Sequence, residues 1–431
     1  MKTKKSASFW LALTIFSLTG QIAWVVENMY FNVFIYKMFN ASAADISLMV
    51  AASAVAATLT TIIMGALSDK LGKRKMFICG GYILWGISIG SFAFIRNDII
   101  SSLFPMATSV AAIGVTMVIV MDCVMTFLGS TANDACFNAW LTDSTDSSNR
   151  GAAEGINAMM PLVAILAVFG GFMSFNLDKE ESWTTIFLVI GIAVIVIGIL
   201  GIFLIKDSAV KRPENSNYFK NILYGFKPSV VKSNVTLYIT LAAFAVFGIA
   251  IQIFMPYLIL YYNVSLGMDN YVLIMAPAVI IASVVTAFYG RFYDKKGFEK
   301  SVVPAILALA TGFILLFLFK NTAMVFIGSL FMMCGYLSGM AVFGAMIRDY
   351  TPEGKAGMFQ GLRIVGQVLI PGIIGPYIGA LVLKNAETIV NNDGTESFVP
   401  NENIYAAALV TILVLTVVLV PLFKMLKKKE D

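Results

Sequence analysis

Twelve long apolar runs divide this 431-residue chain, the first over residues 9–36 and the last over residues 404–423. About 20 mostly apolar residues are enough for a helix to cross a ~30 Å hydrocarbon core. Helices satisfy their own backbone hydrogen bonds in lipid, so runs of this length favour spanning helices. The composition agrees, because 59% of the residues are hydrophobic and only 13% are charged. The runs therefore predict an all-α membrane protein with twelve transmembrane helices.

The basic residues are concentrated on one side of the predicted membrane. With both termini placed inside, all but five of the 30 Lys and Arg fall in inner segments; the five are Lys37, Arg96, Lys179, Lys320 and Lys384. The positive-inside rule then predicts cytoplasmic termini. The first run is too long for a cleaved signal peptide and lacks a small-residue cleavage site. We expect a cell membrane, the inner one in a bacterium, and no nucleic-acid partner for such short basic loops.

The titratable side chains limit the chemistry. The chain has no histidine, and its four cysteines lie within apolar runs without Cys-x-x-Cys spacing. Neither a disulfide framework nor a metal site is indicated, and any proton must be carried by a carboxylate. There is no nucleotide-binding loop and no nucleophile–base pair. We therefore predict no cofactor and no enzymatic activity, with an ion gradient as the energy source.

A short basic loop occurs twice, 225 residues apart. Its three shared positions are Gly65, Asp69 and Gly72 in the first copy, and Gly290, Asp294 and Gly297 in the second. A second pair of loops begins at Asp143 and Asp349 and is offset by 206 residues. The polar stretch 206–234 separates six runs from six. The repeat predicts two pseudo-symmetric six-helix bundles, 1–205 and 235–431, joined by a cytoplasmic linker at 206–234.

These loops and the six-plus-six layout resemble the major facilitator superfamily over essentially the whole chain. Met121-Asp122 and the stretch Arg348–Lys355 resemble the glycoside–pentoside–hexuronide cation symporters, the melibiose permease group. The resemblance implies a small-molecule substrate, such as a sugar or glycoside, handled between two bundles that open alternately. We expect the protein to act as a monomer in the bilayer.

The repeated loops suggest a cytoplasmic latch. Its members are Gly65, Asp69, Gly72, Arg74, Asp294 and Gly297. Gly72 permits a tight reversal, and Asp69 can accept hydrogen bonds from amides at a helix N-terminus, where the dipole favours an anion. The resemblance implies that this helix is the eleventh, which starts near 357–363.

Two carboxylates lie inside the predicted membrane, and such groups are functional candidates because their burial is costly. Glu27 is in the first run and Asp122 in the fourth. The resemblance places both helices at the central cavity, so the two could share a proton or a metal ion. Melibiose-type sodium symporters also carry carboxylates on helix two, whereas the second run of this chain, residues 46–67, contains no Asp or Glu. We therefore favour H⁺ as the coupling ion and keep Na⁺ as the alternative. Asp134 points about 120° away from Asp122 on an ideal helix, and we interpret it as structural.

Amides and aromatic rings suited to a sugar occur in several runs. Gln21, Trp24 and Asn28 share one face of the first run, and Asn133 shares a face of the fourth with Asp122. The later runs add Gln252, Tyr257, Arg363 and Gln367 as candidate substrate-binding residues. Tyr257 is also compatible with packing, and Arg363 with a snorkelling side chain.

The function predicted from these residues is secondary active transport. The favoured hypothesis is a proton-coupled symporter that imports a sugar or glycoside by alternating access. A proton-coupled exporter of drugs or metabolites is the alternative, because the same carboxylates could bind a cationic apolar compound. A lipid-handling or sensory protein of the same fold, without coupled flux, is the third possibility.

Overall fold

A computed structural model describes residues 5–145, 149–206, 223–352, 356–391 and 394–430. In these residues, eleven helices are long and apolar enough to cross a membrane. One of them, Val272–Leu318, has 47 residues and contains a kink. Its backbone leaves helical geometry at Gly297, where φ is 74° and ψ is −179°. The chain is thus a multi-pass membrane protein that is helical almost throughout.

The first compact unit comprises Met1–Asp45 and Ala52–Ser216. Its helices are α1 (Ala7–Val25), α2 (Phe31–Phe39), α3 (Ala43–Leu71), α4 (Arg74–Ser91), α5 (Asn97–Leu103), α6 (Val110–Gly129), α7 (Asn138–Asp143), α8 (Arg150–Phe172) and α9 (Glu180–Leu204). Two π-helical turns, Val26–Tyr30 and Ser130–Phe137, join α1 to α2 and α6 to α7. A cluster of aromatic rings packs α2 against α9, and the ring centroids of Phe34 and Phe187 are 4.9 Å apart.

The second compact unit comprises Ile46–Ala51 and Asn217–Asp431. Its helices are α10 (Pro228–Ser233), α11 (Val235–Phe254), α12 (Leu258–Leu260), α13 (Val272–Leu318), α14 (Thr322–Tyr350), α15 (Ala356–Ile364), α16 (Ile370–Leu383) and α17 (Asn403–Glu430). The π-helical turns Tyr261–Ser265 and Val365–Leu369 follow α12 and α15. Strands β1 (Thr388–Val390) and β2 (Glu396–Phe398) pair antiparallel, with Ile389 opposite Ser397. Within the predicted linker, residues 207–222 lie outside the described part of the chain.

Both repeated basic loops reverse at a glycine with positive φ. Gly72 ends α3 at φ 65° and Gly297 interrupts α13 at φ 74°. A residue with a Cβ atom is strained in this region, whereas glycine is not. The two copies therefore share a glycine with positive φ, but their backbone conformations differ, because ψ is 22° at Gly72 and −179° at Gly297. The duplication itself stays a prediction.

Helices α4 and α9 approach each other until their backbones touch. A Cβ atom built on Gly86 would lie 2.5 Å from the carbonyl oxygen of Gly191, and one built on Gly191 would lie 2.7 Å from that of Gly86. Small residues permit such close approach between membrane helices. A third glycine, Gly198 of α9, packs against Ile83 of α4 elsewhere along the same pair of helices.

In the first unit, Arg74 ties together the helix ends next to the basic loop. Its Nε atom donates to Asp143 Oδ2 at 3.1 Å, and its Nη1 atom donates to Ser68 Oγ at 2.5 Å. Arg74 is only 4% exposed, and a buried guanidinium is stable only when its charge and hydrogens are matched. This contact connects α3, α4 and α7.

In the second unit, a tyrosine makes the corresponding contact. The repeat aligns Tyr293 with Ser68, Glu299 with Arg74 and Asp349 with Asp143. The Tyr293 hydroxyl donates directly to Asp349 Oδ2 at 2.6 Å. One phenol thus bridges α13 and α14, where the first copy uses an arginine and a serine.

We expect Tyr293→Phe to lower the free energy of unfolding by about 1 kcal/mol, because it deletes one hydrogen bond to a carboxylate. Thermal or denaturant unfolding in detergent measures the change. The control is Tyr377→Phe, whose side chain is 59% exposed. Equal effects of the two substitutions would show that the Tyr293–Asp349 contact does not stabilise the unit.

Candidate functional site

Glu27 lies in a π-helical turn in the middle of the first span. The turn Val26–Tyr30 interrupts the regular helix between α1 and α2. π-Helical turns are rare and often occur at functional sites. The Glu27 side chain is only 6% exposed, so this carboxyl group is enclosed by the protein.

Two hydroxyl groups from neighbouring helices hold one oxygen of Glu27. Ser53 Oγ on α3 donates to Glu27 Oε1 at 2.6 Å, and Thr126 Oγ1 on α6 donates to the same atom at 3.0 Å. The two hydroxyls are themselves 2.9 Å apart. Three helices therefore converge on this carboxyl group within the first unit.

Asp122 lies one helical turn from Thr126 and completes a carboxyl pair with Glu27. It is 1% exposed, and the charge of Glu27 acts on it. Among the described residues, no Lys or Arg contributes to the electrostatics of either group. One oxygen of each, Glu27 Oε2 and Asp122 Oδ1, is buried without a hydrogen-bond partner.

Such an arrangement is chemically suited to taking up a cation. Two adjacent buried negative charges without a basic partner are costly, since each loses its hydration. A proton that bridges or neutralises the pair removes one of these charges and gives a bare oxygen a bond. A small metal cation could reduce the cost in the same way.

The substitution Thr126→Val tests the support given to Glu27. It keeps the shape of the side chain but removes a donor from a buried carboxyl oxygen, so the free energy of unfolding should fall by about 1–3 kcal/mol. Thr131→Val is the matched control on the same span, because the Thr131 hydroxyl donates to the backbone carbonyl of Phe127, four residues earlier, at 2.7 Å. Similar losses for both variants, measured by thermal unfolding in detergent, would contradict the role given to Thr126.

Asn133 and Asp134 form a second polar cluster further along the same span. Ser130 Oγ donates to Asp134 Oδ2 at 3.0 Å, and Asn133 Nδ2 donates to Asp134 Oδ1 at 3.1 Å. The Trp24 side chain hydrogen-bonds the same carboxylate. Asn133 Oδ1 in turn accepts from the Tyr82 hydroxyl of α4 at 2.9 Å. The structure thus places Trp24 and Asn133, both predicted to bind substrate, next to Asp134.

Ideal α-helical geometry does not describe the position of Asp134, because this residue lies in a π-helical turn. Residues Ser130–Phe137 bond to carbonyls five residues back rather than four. Side chains in such a turn are rotated relative to the ~100° per residue of an α-helix. The charge of Asp134 also acts on Glu27.

The other candidates in the first span have separate surroundings. Trp24 packs against Trp85 with their ring centroids 5.1 Å apart. Asn28 is exposed, and its Nδ2 atom donates to the Trp24 carbonyl at 2.8 Å. Gln21 is half-buried. Of the three residues predicted to share a face, Trp24 is the one that reaches a carboxylate.

The candidates in the second unit form two groups. Tyr257 is fully buried, with its hydroxyl 3.5 Å from the Pro376 carbonyl, which agrees with a packing role. Gln252 packs against Gly375 of α16. Arg363 is exposed and its Nε atom donates to Gln367 Oε1 at 3.0 Å. Arg363 and Gln367 thus present a paired guanidinium and amide.

The predicted latch residues are described only in part. Gly65 and Asp294 lie on α3 and α13, Asp294 being exposed. The side chain of Asp69 lies outside the described residues. Gly72, Arg74 and Gly297 occupy the loop positions given above. The hydrogen bond predicted from Asp69 to the eleventh span remains a prediction.

The comparison with known families gives a match over most of the chain. The Major Facilitator Superfamily model matches residues 9–376. No curated protein matches the sequence itself.

Solved structures share the fold at low sequence identity. A point mutant of the nucleoside transporter NupG gives a TM-score of 0.74 at 12% identity, covering 96% of this chain and 99% of that one. A bacterial homologue of the human lysosomal transporter Spinster, inward-facing and unoccupied, gives a TM-score of 0.67 at 16% identity and covers 96% of both chains. The xylose transporter XylE from E. coli, in a partially occluded inward-open conformation, gives a TM-score of 0.67 at 13% identity. The match covers 95% of this chain and 98% of that one. With its apolar spans and its family match, the chain belongs to the major facilitator superfamily and is a membrane transporter of small molecules rather than an enzyme.

Proposed function

We propose that the protein is a proton-coupled symporter that imports a sugar or glycoside by alternating access. The observation that supports this most is the buried Glu27–Asp122 pair, which has two unpartnered oxygens and no basic partner among the described residues. A transporter needs a site whose charge changes when the coupling ion binds. This pair has that property, because neutralising it removes a large burial cost.

A proton suits this pair better than a sodium ion. The hydroxyls of Ser53 and Thr126 both donate to Glu27 Oε1, so their hydrogens occupy the space in front of that oxygen. A metal ion would instead need the lone pairs of several oxygens turned towards it. A proton needs only one acceptor, such as Glu27 Oε2 or Asp122 Oδ1.

The proposed substrate class rests on two kinds of support. The fold is shared with a nucleoside transporter and with a D-xylose–proton symporter, whose substrates both contain a pentose. In this chain, the indole of Trp24 lies beside the polar groups of Asn133 and Asp134. Aromatic rings together with hydrogen-bonding side chains suit a sugar, which has apolar ring faces and many hydroxyls. The melibiose permease group is the proposed subgroup.

The proposed topology has twelve spans, cytoplasmic termini and a cell-membrane location. The break at Gly297 divides α13 into two parts, and each is long enough to cross the hydrocarbon core. An even number of spans then puts both termini on one side. The distribution of Lys and Arg assigns that side to the cytoplasm. A monomer is the proposed functional unit.

Ligand-induced thermal stabilisation of the purified protein tests the proposal. Monosaccharides, glycosides and nucleosides are screened at mildly acidic and mildly alkaline pH, each with and without sodium. A ligand at 100 times its dissociation constant adds ~2.7 kcal/mol to the folded state. We expect a sugar to stabilise the protein in a pH-dependent and sodium-independent manner. A sodium-dependent shift would contradict proton coupling, and stabilisation by lipophilic cations alone would favour an exporter.

A further inference from the structure

Four polar residues follow one another at intervals of four along the span that contains α6. They are Asp122, Thr126, Ser130 and Asp134, and residues four apart on a helix are neighbours. Thr126 donates to Glu27 at one end of this series. Ser130 donates to Asp134 at the other end. Along the span, the series thus has the buried carboxyl pair at one end and a third carboxylate at the other.

The surroundings of Asp134 differ from those of the pair. Both of its oxygens accept hydrogen bonds, from Ser130 and Asn133, and the Trp24 side chain adds another. Three donors stabilise the anion that remains after a proton leaves. Glu27 and Asp122 each keep one oxygen without a donor.

Two titratable groups near Asp134 come from other helical segments. The charge of Asp134 acts on Glu27 in the turn after α1 and on Tyr82 of α4. Trp24 of α1 and Asn133 of its own segment are neutral donors. No basic side chain contributes to its electrostatics in the described part of the chain.

Asp134 is also the most accessible of the three carboxylates. It is partly exposed, whereas Glu27 and Asp122 are 6% and 1% exposed. It lies towards the end of the span at which Asp143 pairs with Arg74. Along the span, Asp134 therefore lies between the buried pair and the end next to the basic loops.

We propose that Asp134 is a proton-transfer residue that passes the coupling proton between the Glu27–Asp122 pair and the water on the side of the basic loops. This inference rests on the proposed proton coupling. In the first step an O–H bond of the pair breaks and one forms on Asp134, which leaves the pair with an additional negative charge. In the second step Asp134 gives the proton to water, and a hydronium ion and the Asp134 carboxylate result.

Hydrogen–deuterium exchange of the carboxyl groups, followed by infrared spectroscopy, tests the proposal without a transport substrate. The protein is reconstituted in liposomes at acidic pH, and the band of the protonated pair is assigned by its loss in Asp122→Asn and Glu27→Gln. Exchange of that band is then timed after transfer to D2O. We expect Asp134→Asn to keep the band but to slow its exchange by about a hundredfold.

Two further variants separate proton transfer from a structural role. Asp134→Glu keeps a carboxyl group and should restore most of the exchange rate. Asp98→Asn removes a carboxylate that is 62% exposed in a surface ion pair with Arg96, and it should exchange like the wild type. A normal exchange rate in Asp134→Asn would overturn this inference alone. The lack of any carboxyl band removed by Asp122→Asn would overturn the proposed function, and the inference with it.

Discussion

The substitution Asp122→Asn is expected to abolish gradient-driven accumulation of the sugar while leaving exchange of bound substrate intact. An imposed gradient of one pH unit supplies about 1.36 kcal/mol per proton, which allows about tenfold accumulation of a neutral substrate. Asparagine has the size of aspartate but cannot release a proton at physiological pH. The variant should therefore equilibrate the sugar across the membrane without concentrating it.

Uptake by proteoliposomes of the sugar found in the stability screen measures this effect. The control is Asp178→Asn. Asp178 is a 67% exposed carboxylate that pairs with Lys37, and it belongs neither to the Glu27–Asp122 pair nor to the cluster around Asp134. The control should accumulate the sugar as the wild type does. If Asp122→Asn still accumulated the sugar tenfold, Asp122 would not be needed for coupling, even if protons drive transport by the wild type.

Gly86→Ala should give the largest loss of stability, although it adds a single methyl group. The new Cβ atom would lie 2.5 Å from the Gly191 carbonyl oxygen, which is far closer than carbon and oxygen atoms pack. Because the obstacle is backbone, no side-chain rotation can relieve the clash, and α4 must move away from α9. Overpacking of this kind costs about 1–3 kcal/mol or more.

The matched control for this prediction is Gly80→Ala on the same helix. A Cβ atom at Gly80 meets no other atom within 4 Å, and alanine favours a helix over glycine by about 1 kcal/mol. Thermal unfolding in detergent should therefore show destabilisation by the first substitution only. If Gly86→Ala were as stable as Gly80→Ala, the two backbones could not be in contact.

The sequence was sufficient to predict the helical membrane fold and the family, because length and apolarity decide which segments enter a bilayer. It also predicted the reversal at Gly72, where only a residue without a side chain adopts the loop conformation readily. The two predicted runs on either side of Gly297 meet at a kink, where the backbone leaves helical geometry. Charge and glycine content mark a loop there, but they do not determine how strongly the chain bends.

The candidate site was predictable only in part. Glu27 and Asp122 stand out because charged residues are rare in apolar runs, and the structure brings them together in one unit; their role in coupling remains a prediction. Ser53 was missed as a partner of Glu27, since a lone serine in an apolar run is common and its contact depends on helix packing. The direction of Asp134 cannot be derived from ideal α-helical geometry, because hydrophobic periodicity gives no sign of the π-helical turn in which it lies.

The two basic-loop contacts hold an aspartate in chemically different ways. Arg74 bridges Ser68 and Asp143 in one unit, while the Tyr293 hydroxyl donates to Asp349 in the other. A guanidinium brings a positive charge that must be matched when it is buried, whereas a phenol brings no charge. The glutamate at position 299, which aligns with Arg74, is therefore compatible with the second contact, because that contact needs no arginine. The salt dependence of the two contacts should differ for the same reason, since only the first joins two charges.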